Sequence, residues 1–216
     1  MEHLNPAIGR RRLIRILREK GITDEQVLDA FDKVDRHLFV DGAMYAQAYD
    51  DNALPIGSGQ TISQPYVVAL MTELLQIKKD EKILEIGTGS GFQTAILGRF
   101  TRRVYTIERH RELSDTARKR LREMGYANIV FKVGDGSIGW PQHGPFDKII
   151  VTAGAPVLPR TLTDQLADGG RMVIPMGDKD RQDLVVYEKN AQGVLSQFTA
   201  AQVVFVPLIG NQGWQD

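Results

Sequence analysis

The strongest constraint on the fold is a regular alternation of short apolar runs with helical patterns after residue 79. Five runs have the length and composition of buried strands, and helical patterns lie among them. Strands that alternate with helices are joined by right-handed crossovers, so we expect a doubly wound, mostly parallel, Rossmann-like α/β sheet. The predicted strands are 82–87, 103–108, 129–134, 147–152 and 171–175, and the predicted helices are 91–99, 110–124 and 159–167.

The end of the chain has a different pattern. Two apolar runs, 183–189 and 201–208, are separated by the sequence NAQG and predict an antiparallel pair that completes the sheet. The length of 216 residues suits a single domain. We expect one domain in three parts: N-terminal helices with a loop (1–78), an α/β core (79–180) and C-terminal strands (181–216).

The first third of the chain has helical periodicity, interrupted by one long irregular segment. Gly21 is a stop signal for the first helix, and Thr23 with Gln26 forms a capping box that opens the second. Residues 49–65 contain two glycines, two prolines and several small polar residues, which predicts a long loop. Long ordered loops in compact domains are usually functional. A further helix is predicted over 64–77.

Composition excludes several classes of function. The chain has no cysteine, which excludes disulfides, thiolate zinc sites and a cysteine nucleophile, and fits a reducing compartment. Lys plus Arg and Asp plus Glu are equal at 27 each, so bulk binding of nucleic acid or anionic lipid has no general electrostatic support. No apolar run reaches the length of a membrane span or a signal-peptide core. We therefore expect a cytoplasmic monomer with no nucleic-acid or membrane partner.

The sequence LEIGTGSGFQTA (84–95) predicts a ligand-binding turn between a strand and a helix. Its alternating glycines, Gly87, Gly89 and Gly91, allow a ligand to approach the backbone closely. A dinucleotide fingerprint would have its third glycine where this chain has Phe92, and a P-loop would need a lysine that does not follow. A nucleoside ligand without a pyrophosphate remains, and S-adenosylmethionine is the obvious candidate.

Two carboxylates follow the next two predicted strands, at the sheet edge where such folds bind ligands. Glu108 lies about twenty residues after the first glycine, the spacing at which an acidic side chain binds ribose hydroxyls. Asp135, in the sequence GDG, is placed to reach the adenine edge; the alternative for both is a surface carboxylate. Glu85 is predicted to bind the ligand's ammonium group or to accept hydrogen bonds from backbone amides. The predicted cofactor site also includes the neighbouring residues Thr88, Ser90, Arg109 and Gly136.

Missing residues disfavour several kinds of methyl acceptor. Methylation of cytosine C5 needs a cysteine nucleophile, and enzymes that methylate DNA amino groups carry a [DNS]PP[YFW] sequence where this chain reads VTAGAPV. No convincing set of metal ligands is present. The histidines do not support a base-driven mechanism, because His3 and His110 are expected at the surface, His37 in packing or capping, and His143 in a loop.

A carboxylate acceptor avoids these requirements. With a pKa of about 4, a carboxylic acid is already ionised and nucleophilic at neutral pH. The protein then mainly has to orient one oxygen and exclude water, and orientation of this kind contributes roughly 7–11 kcal/mol. Hydroxyl and backbone donors suited to that task are expected in the loop segment 53–65.

Several sequences in the chain together resemble one enzyme family. GQTISQP, LEIGTGSGFQTA, GDG, GPFDKIIVTAGAP and VFVPL closely resemble the bacterial type of protein-L-isoaspartate O-methyltransferase, over residues 10–208. The glycine-rich sequence is shared by many methyltransferases, whereas GQTISQP is far more specific. The resemblance implies a methyltransferase sheet with an N-terminal helical extension, S-adenosyl-L-methionine as donor, S-adenosyl-L-homocysteine as product, and no metal.

The resemblance also implies a substrate and a reaction. The partners are damaged proteins and peptides that contain L-isoaspartyl residues, and the methyl group goes to the free α-carboxylate. The ester then closes to a succinimide, which reopens partly to normal aspartate. Three other functions stay open: a methyltransferase for a small molecule or nucleic acid, an NAD-dependent oxidoreductase, and a nucleoside-binding module without catalysis.

In this family the serine of the TIS triplet is the active-site residue, and it corresponds here to Ser63. The resemblance implies that its hydroxyl binds the acceptor carboxylate, with Thr61 and the backbone of Ile62 nearby. The alternative is that Ser63 caps the helix beginning near Gln64, and the two roles are compatible because a helix N-terminus favours an anion.

The resemblance places the peptide substrate between the 53–65 loop and the VPL tripeptide, Val206, Pro207 and Leu208. Beyond this tripeptide the sequence departs from the family, so contacts made there do not carry over. Trp214 is expected either to cover the site or to extend away from it.

Overall fold

The N-terminal region is helical, as predicted, in a computed structural model that describes residues 5–215. Helix α1 (Pro6–Glu19) begins at Asn5, whose side chain accepts a hydrogen bond from the Ala7 amide, and ends near Gly21. Helix α2 (Glu25–Lys33) is followed by two short 3-10 helices, Arg36–Phe39 and Gly42–Gln47. His3, which was expected at the surface, lies outside the described residues.

The predicted capping box of α2 is wrong. The cap is Asp24, whose carboxylate accepts hydrogen bonds from the Gln26 and Val27 amides at 2.8 and 3.3 Å. The amide and hydroxyl of Thr23 instead donate to a carboxylate oxygen of Glu73, fifty residues away. Glu73 also accepts from the Asp24 amide at 2.7 Å, so one distant carboxylate binds the backbone of both residues that precede the helix.

The segment predicted as a long loop contains a β-hairpin. Strand β1 (Leu54–Gly57) pairs antiparallel with β2 (Gln60–Ile62), and Leu54 lies opposite Ile62 with both side chains buried. The turn is tight because Gly57, Ser58 and Gly59 all have positive φ angles, which glycine adopts at little cost. The hairpin delivers the chain directly into helix α3 (Pro65–Leu75).

The cap of α3 also differs from the alternative prediction for Ser63. Gln64 occupies the cap position and makes no side-chain capping bond. The Tyr66 amide in the first turn donates to the Asp51 carboxylate at 2.8 Å. Asp51 also accepts from Lys20 at 2.6 Å and from the Gln64 side chain at 3.0 Å. Asp51 thus fixes the base of the hairpin to the start of α3.

A seven-stranded sheet forms the rest of the molecule, with all the predicted strands and helices present. The strand order is β5-β4-β3-β6-β7-β8-β9, and the pairs from β5 to β7 are parallel while β7, β8 and β9 are antiparallel. The elements are β3 (Lys82–Ile86), α4 (Phe92–Leu97), β4 (Arg103–Glu108), α5 (Arg111–Glu123), β5 (Ile129–Val133), β6 (Phe146–Val151), α6 (Arg160–Asp164), β7 (Leu166–Gly177), β8 (Gln182–Lys189) and β9 (Leu195–Val203).

Three predicted elements near the C-terminus have wrong boundaries. Strand β7, expected over 171–175, spans Leu166–Gly177. The helix expected over 159–167 ends at Asp164, because β7 already begins at Leu166. The last strand, expected over 201–208, ends at Val203, and the following residues leave the sheet. Leu208 then donates a backbone hydrogen bond to Gly154, whose own amide donates to Val206. The VPL tripeptide is therefore held against the segment that follows β6.

The N-terminal helices pack directly on the glycine-rich region. Phe92, at the start of α4, is buried and makes edge contacts with the rings of Phe31 and Phe39. The buried guanidinium of Arg36 lies 5.0 Å from the same ring and donates to the Ala48 and Asn52 carbonyls. Phe92, which stands where a dinucleotide fingerprint would have its third glycine, thus packs against the N-terminal helices. No helix within the described residues is long and apolar enough to cross a membrane.

We predict that Asp51→Ala lowers the free energy of unfolding by about 2 kcal/mol, because a helix start and a partly buried ion pair both lose their acceptor. Urea unfolding monitored by circular dichroism measures this change. Asp50→Ala is the matched control, because among residues 5–215 the Asp50 side chain hydrogen-bonds only with Arg12, in an ion pair at 3.2 Å. It should cost less than about 1 kcal/mol. Equal losses for the two variants would contradict the role given to Asp51.

Candidate functional site

The carboxyl ends of three strands meet at the centre of the sheet. Strand β3 runs into the glycine turn, β4 ends at Glu108, and β6 is followed by Thr152. The Thr152 hydroxyl donates to the carbonyls of Ile86 and Gly87 at 3.0 and 2.8 Å. A Cβ atom at Gly87 would lie 2.3 Å from that hydroxyl oxygen, and the φ angle there is +98°. Glycine is therefore required at this point of the turn.

A cleft runs along this edge of the sheet, between the glycine turn, the hairpin and the VPL tripeptide. Most of the predicted site residues line it. They are Thr61, Ile62, Ser63, Gly87, Thr88, Gly89, Ser90, Glu108, Arg109, Gly136, Val206, Pro207 and Leu208. The fold thus brings together residues from the hairpin, from the ends of β3 and β4, from the segment after β5 and from the segment after β9.

Glu108 is buried and is already bonded to the turn it faces. Its two carboxylate oxygens accept hydrogen bonds from the Gly89 amide at 2.8 Å and from the His110 amide at 3.0 Å. Each oxygen keeps a further lone pair for a ligand. Glu108 therefore orders the glycine turn and remains able to accept hydrogen bonds from ribose hydroxyls.

Ser63 lies between the end of the hairpin and the start of α3, where it is half-buried. Its hydroxyl has no hydrogen-bond partner in the described part of the chain. Ser63 lines both the cleft and an adjoining groove, and Thr61, Thr152 and Val206 share this property. An unengaged hydroxyl therefore stands where two connected cavities meet.

Three predicted cofactor residues do not line the cleft, and two of them have structural roles. Gly91 caps α4 with a positive φ angle and packs against Ala117 and Leu121 of α5. Asp135 accepts from the amide and hydroxyl of Ser137 at 2.8 and 2.7 Å, and its other oxygen accepts from the Asn211 amide at 2.8 Å. The C-terminal tail thus folds back onto the carboxylate that was expected to face adenine.

The third residue, Glu85, is fully buried among hydroxyl groups. One of its oxygens accepts from Thr94 and Thr106, both at 2.6 Å, so the expected bonds to backbone amides are wrong. The Thr106 hydroxyl lies 2.6 Å from that of Thr88, which lines the cleft. Burial raises the pKa of Glu85 to about 8, against the lowering effect of the two threonine hydrogen bonds. At neutral pH this side chain is therefore mostly protonated.

Several cleft residues were missed by the sequence analysis. His110 was expected at the surface, but it is half-buried and lines the cleft beside Glu108. Its position directly after a strand-end carboxylate was a signal that could have found it. Val68, Met71 and Thr152 also line the cleft, and they come from a helix face or from a β6 end whose sequence carried no ligand motif. Gln93 lines the cleft as well; it lies within the sequence LEIGTGSGFQTA but was not among the predicted site residues.

The C-terminal tail does not extend away from the molecule. The Trp214 indole donates to the Gly154 carbonyl at 3.2 Å, and the Trp214 amide donates to Leu208. The tail therefore packs behind the VPL tripeptide. Between residues 5 and 215 there is no cluster of three or more histidine, aspartate or glutamate side chains that could hold a metal ion.

The residues of the cleft fit a nucleoside bearing an amino-acid tail. The glycine turn permits close approach of a ligand, and Glu108 offers acceptors for ribose hydroxyls. Gly136 has no room for a side chain, because a Cβ atom there would lie 2.3 Å from Ile86. Glycine is therefore required at this end of the cleft.

Comparisons with known proteins identify the family of this chain. The profile of the family described as protein-L-isoaspartate(D-aspartate) O-methyltransferase matches residues 9–213. A relative from Trichlorobacter lovleyi, named protein-L-isoaspartate O-methyltransferase, is 55% identical over 213 residues, which cover 98% of each chain. A relative of the same name from Dictyoglomus turgidum is 54% identical over 207 residues, covering 96% of this chain and 94% of the other.

Two solved structures have the same architecture. One, a protein-L-isoaspartate O-methyltransferase, superimposes with a TM-score of 0.85 at 29% identity, covering 94% of this chain and 67% of that one. The other is a Plasmodium falciparum protein with the same family name, solved with S-adenosyl-L-homocysteine. It superimposes with a TM-score of 0.80 at 25% identity, covering 94% and 99% of the two chains.

We predict that Glu85→Gln changes the pH dependence of stability. Because the pKa of Glu85 is raised from 4.5 to about 8 on folding, the folded protein holds an additional proton between these values, and the wild type loses stability as pH rises through this range. The variant cannot ionise at this position and lacks this loss. The difference in the free energy of unfolding between variant and wild type should therefore shift in favour of the variant by on the order of a few kcal/mol from pH 5 to pH 8. Urea unfolding at both pH values measures this difference. Parallel pH profiles of variant and wild type would refute the prediction. Glu112→Gln, at an exposed position, is the control and should have the pH profile of the wild type.

Proposed function

This chain belongs to the protein-L-isoaspartate(D-aspartate) O-methyltransferase family, and on that premise we propose that the cleft at the carboxyl edge of its sheet is the active site. The protein is an S-adenosyl-L-methionine-dependent protein carboxyl methyltransferase whose substrates are damaged proteins with isoaspartyl residues. The observation that carries the assignment of the site is the position of Ser63, whose free hydroxyl lies where the cleft meets the adjoining groove.

S-adenosyl-L-methionine supplies an electrophilic methyl group on a sulfonium. The glycine turn would hold it with Thr88, Ser90 and Glu108, and the last of these would accept hydrogen bonds from its ribose. Arg109 and Gly136 would complete the adenosine side of the cleft, and Thr61 would lie near the methyl group. These roles are supported by the shared lining of one cleft, which extends from Glu108 to the hairpin.

The acceptor would lie at the other end of the cleft. We assign the Ser63 hydroxyl to hydrogen-bond the free α-carboxylate of the isoaspartyl residue, with the Ile62 backbone beside it. The peptide would lie in the adjoining groove, against Val206, Pro207 and Leu208. Since the acceptor is already ionised at neutral pH, the protein has no proton to remove, and its task is to orient one oxygen and exclude water.

The remaining expectations stay predictions of the same proposal. We expect the chain to act as a monomer in the cytoplasm, without a nucleic-acid or membrane partner. Residues 1–78 would supply the active-site hairpin, residues 79–180 the donor site, and residues 181–216 the closure of the substrate site. The family membership does not favour a methyltransferase for small molecules or nucleic acids, an NAD-dependent oxidoreductase or a module without catalysis.

The substrate is tested with paired peptides that differ only in the linkage of one aspartate. The protein is incubated with isotopically labelled S-adenosylmethionine and either peptide, and labelled methyl ester is counted. We expect labelling of the isoaspartyl peptide and background counts for the normal peptide. Equal labelling of both peptides would refute the substrate assignment.

Ser63→Ala should lower kcat more than it weakens donor binding. Loss of one hydrogen bond to a charged group at the transition state corresponds to roughly a ten- to hundredfold fall in kcat. Steady-state kinetics with the isoaspartyl peptide and calorimetry with S-adenosylhomocysteine measure the two quantities. Ser58→Gly, at the exposed hairpin tip, is the control and should keep normal kcat. Loss of donor affinity with intact turnover would contradict the assigned role.

Glu108→Ala should weaken donor binding more than it lowers kcat, the opposite of Ser63→Ala. Without this carboxylate the ribose loses its acceptor and the Gly89 amide loses its partner, so the Kd for S-adenosylhomocysteine should rise roughly tenfold or more. Glu112→Ala, an exposed carboxylate in the first turn of α5, should leave the Kd unchanged. An unchanged Kd in Glu108→Ala would remove Glu108 from the ribose site.

A further inference from the structure

Among the described residues that line the cleft, one buried side-chain acceptor has no hydrogen-bond partner. Gln93, in the first turn of α4, lines the cleft and is 7% exposed. Its amide nitrogen donates to the Thr72 hydroxyl at 3.0 Å. Its amide oxygen is buried and accepts no hydrogen bond from any described residue. Burying such an acceptor unpaired is unfavourable, so the structure contains a position where a ligand donor would be stabilised.

The orientation of the Gln93 amide is fixed by its neighbours. The Thr72 hydroxyl donates its single proton to the Val68 carbonyl at 2.7 Å within α3, so toward Gln93 it can only accept. The amide nitrogen must therefore face Thr72, and the oxygen is left free. The other cleft residues nearby, Val68 and Met71, are apolar and offer that oxygen no donor.

The position of Gln93 selects one part of the methyl donor. Glu108 ends β4 and Gly136 follows β5, on one side of β3. Helix α4 also contacts β4, but the Gln93 side chain is turned to Thr72 of α3, the helix that follows Ser63 and packs against β6 and β7 on the other side. The adenosine part is thus assigned to one end of the cleft and the amino-acid part to the end near Gln93. The only donor group in that amino-acid part is its ammonium.

The acceptor first predicted for this ammonium is not available in the cleft. Glu85 does not line it: one of its oxygens accepts from Thr94 and Thr106, and the other, which also has no partner among the described residues, is buried outside the cleft. We propose that the Gln93 side-chain oxygen binds the α-ammonium group of S-adenosylmethionine, and that Thr72 is the positioning residue that holds the amide in the required orientation. This inference rests on the proposed function of the cleft and adds a cofactor residue that the predicted site did not include, although Gln93 lies within the sequence LEIGTGSGFQTA.

The test compares two ligands and three proteins by calorimetry. The ligands are S-adenosylhomocysteine and its analogue in which hydrogen replaces the amino group. The proteins are the wild type, Gln93→Leu and Thr72→Val. For S-adenosylhomocysteine, Gln93→Leu should weaken binding roughly ten- to hundredfold, and Thr72→Val by a smaller factor. For the deaminated analogue, all three proteins should agree within about twofold.

Two results would overturn the inference. One is unchanged affinity of Gln93→Leu for S-adenosylhomocysteine, and the other is an equal loss for both ligands, which would indicate a general packing defect. Thermal unfolding verifies that the variants are folded. If the wild type binds S-adenosylhomocysteine and methylates the isoaspartyl peptide while Gln93→Leu binds normally, only this inference fails. If the wild type does neither, the proposed function fails with it.

Discussion

The reversal of strand order on either side of β3 is the constraint on which the site depends. The chain places β4 and β5 on one side of β3 and then returns to place β6 on the other. The segments that follow neighbouring strands therefore diverge and leave a crevice at the carboxyl edge. The glycine turn, Glu108 and Thr152 meet there because they follow β3, β4 and β6. The hydrogen bond from the Gly89 amide to Glu108 then fixes the turn across this crevice.

A second set of contacts determines where the acceptor side of the site lies. The hairpin that precedes Ser63 has only a few paired residues, and so short a hairpin is at most marginally stable alone. Asp51 joins it to the first turn of α3, and Arg36 holds the carbonyls of Ala48 and Asn52 just before it. Arg36 also packs on Phe92 at the start of the donor-binding helix. The hairpin, the start of α3 and the start of α4 are thus connected through side chains that are mostly buried. These contacts couple the stability of the fold to the position of Ser63.

The sequence predicted the sheet well because strand and helix periodicities are local and strong. It predicted the donor side of the cleft because strand ends in a parallel sheet converge, whereas the hairpin residues and the VPL tripeptide were predicted from the family resemblance. It failed where distant residues compete for one group. Thr23 donates to Glu73 while the Asp24 carboxylate caps α2, and the Asn211 amide reaches Asp135 from a tail without a recognisable motif. The hairpin was missed because three- and four-residue strands are too short for an alternating pattern. Gln93 was missed because its environment is created by Thr72 on another helix.

The central claim is that the Ser63 hydroxyl faces the carboxylate that receives the methyl group, at the sulfur end of the donor. A crystal structure with S-adenosylhomocysteine and an isoaspartyl peptide tests it most directly. The account predicts that one α-carboxylate oxygen accepts a hydrogen bond from Ser63 while another faces the sulfur, near the position of the missing methyl group. A complex in which Ser63 points to solvent or to the interior, away from both the sulfur and the carboxylate, would contradict it.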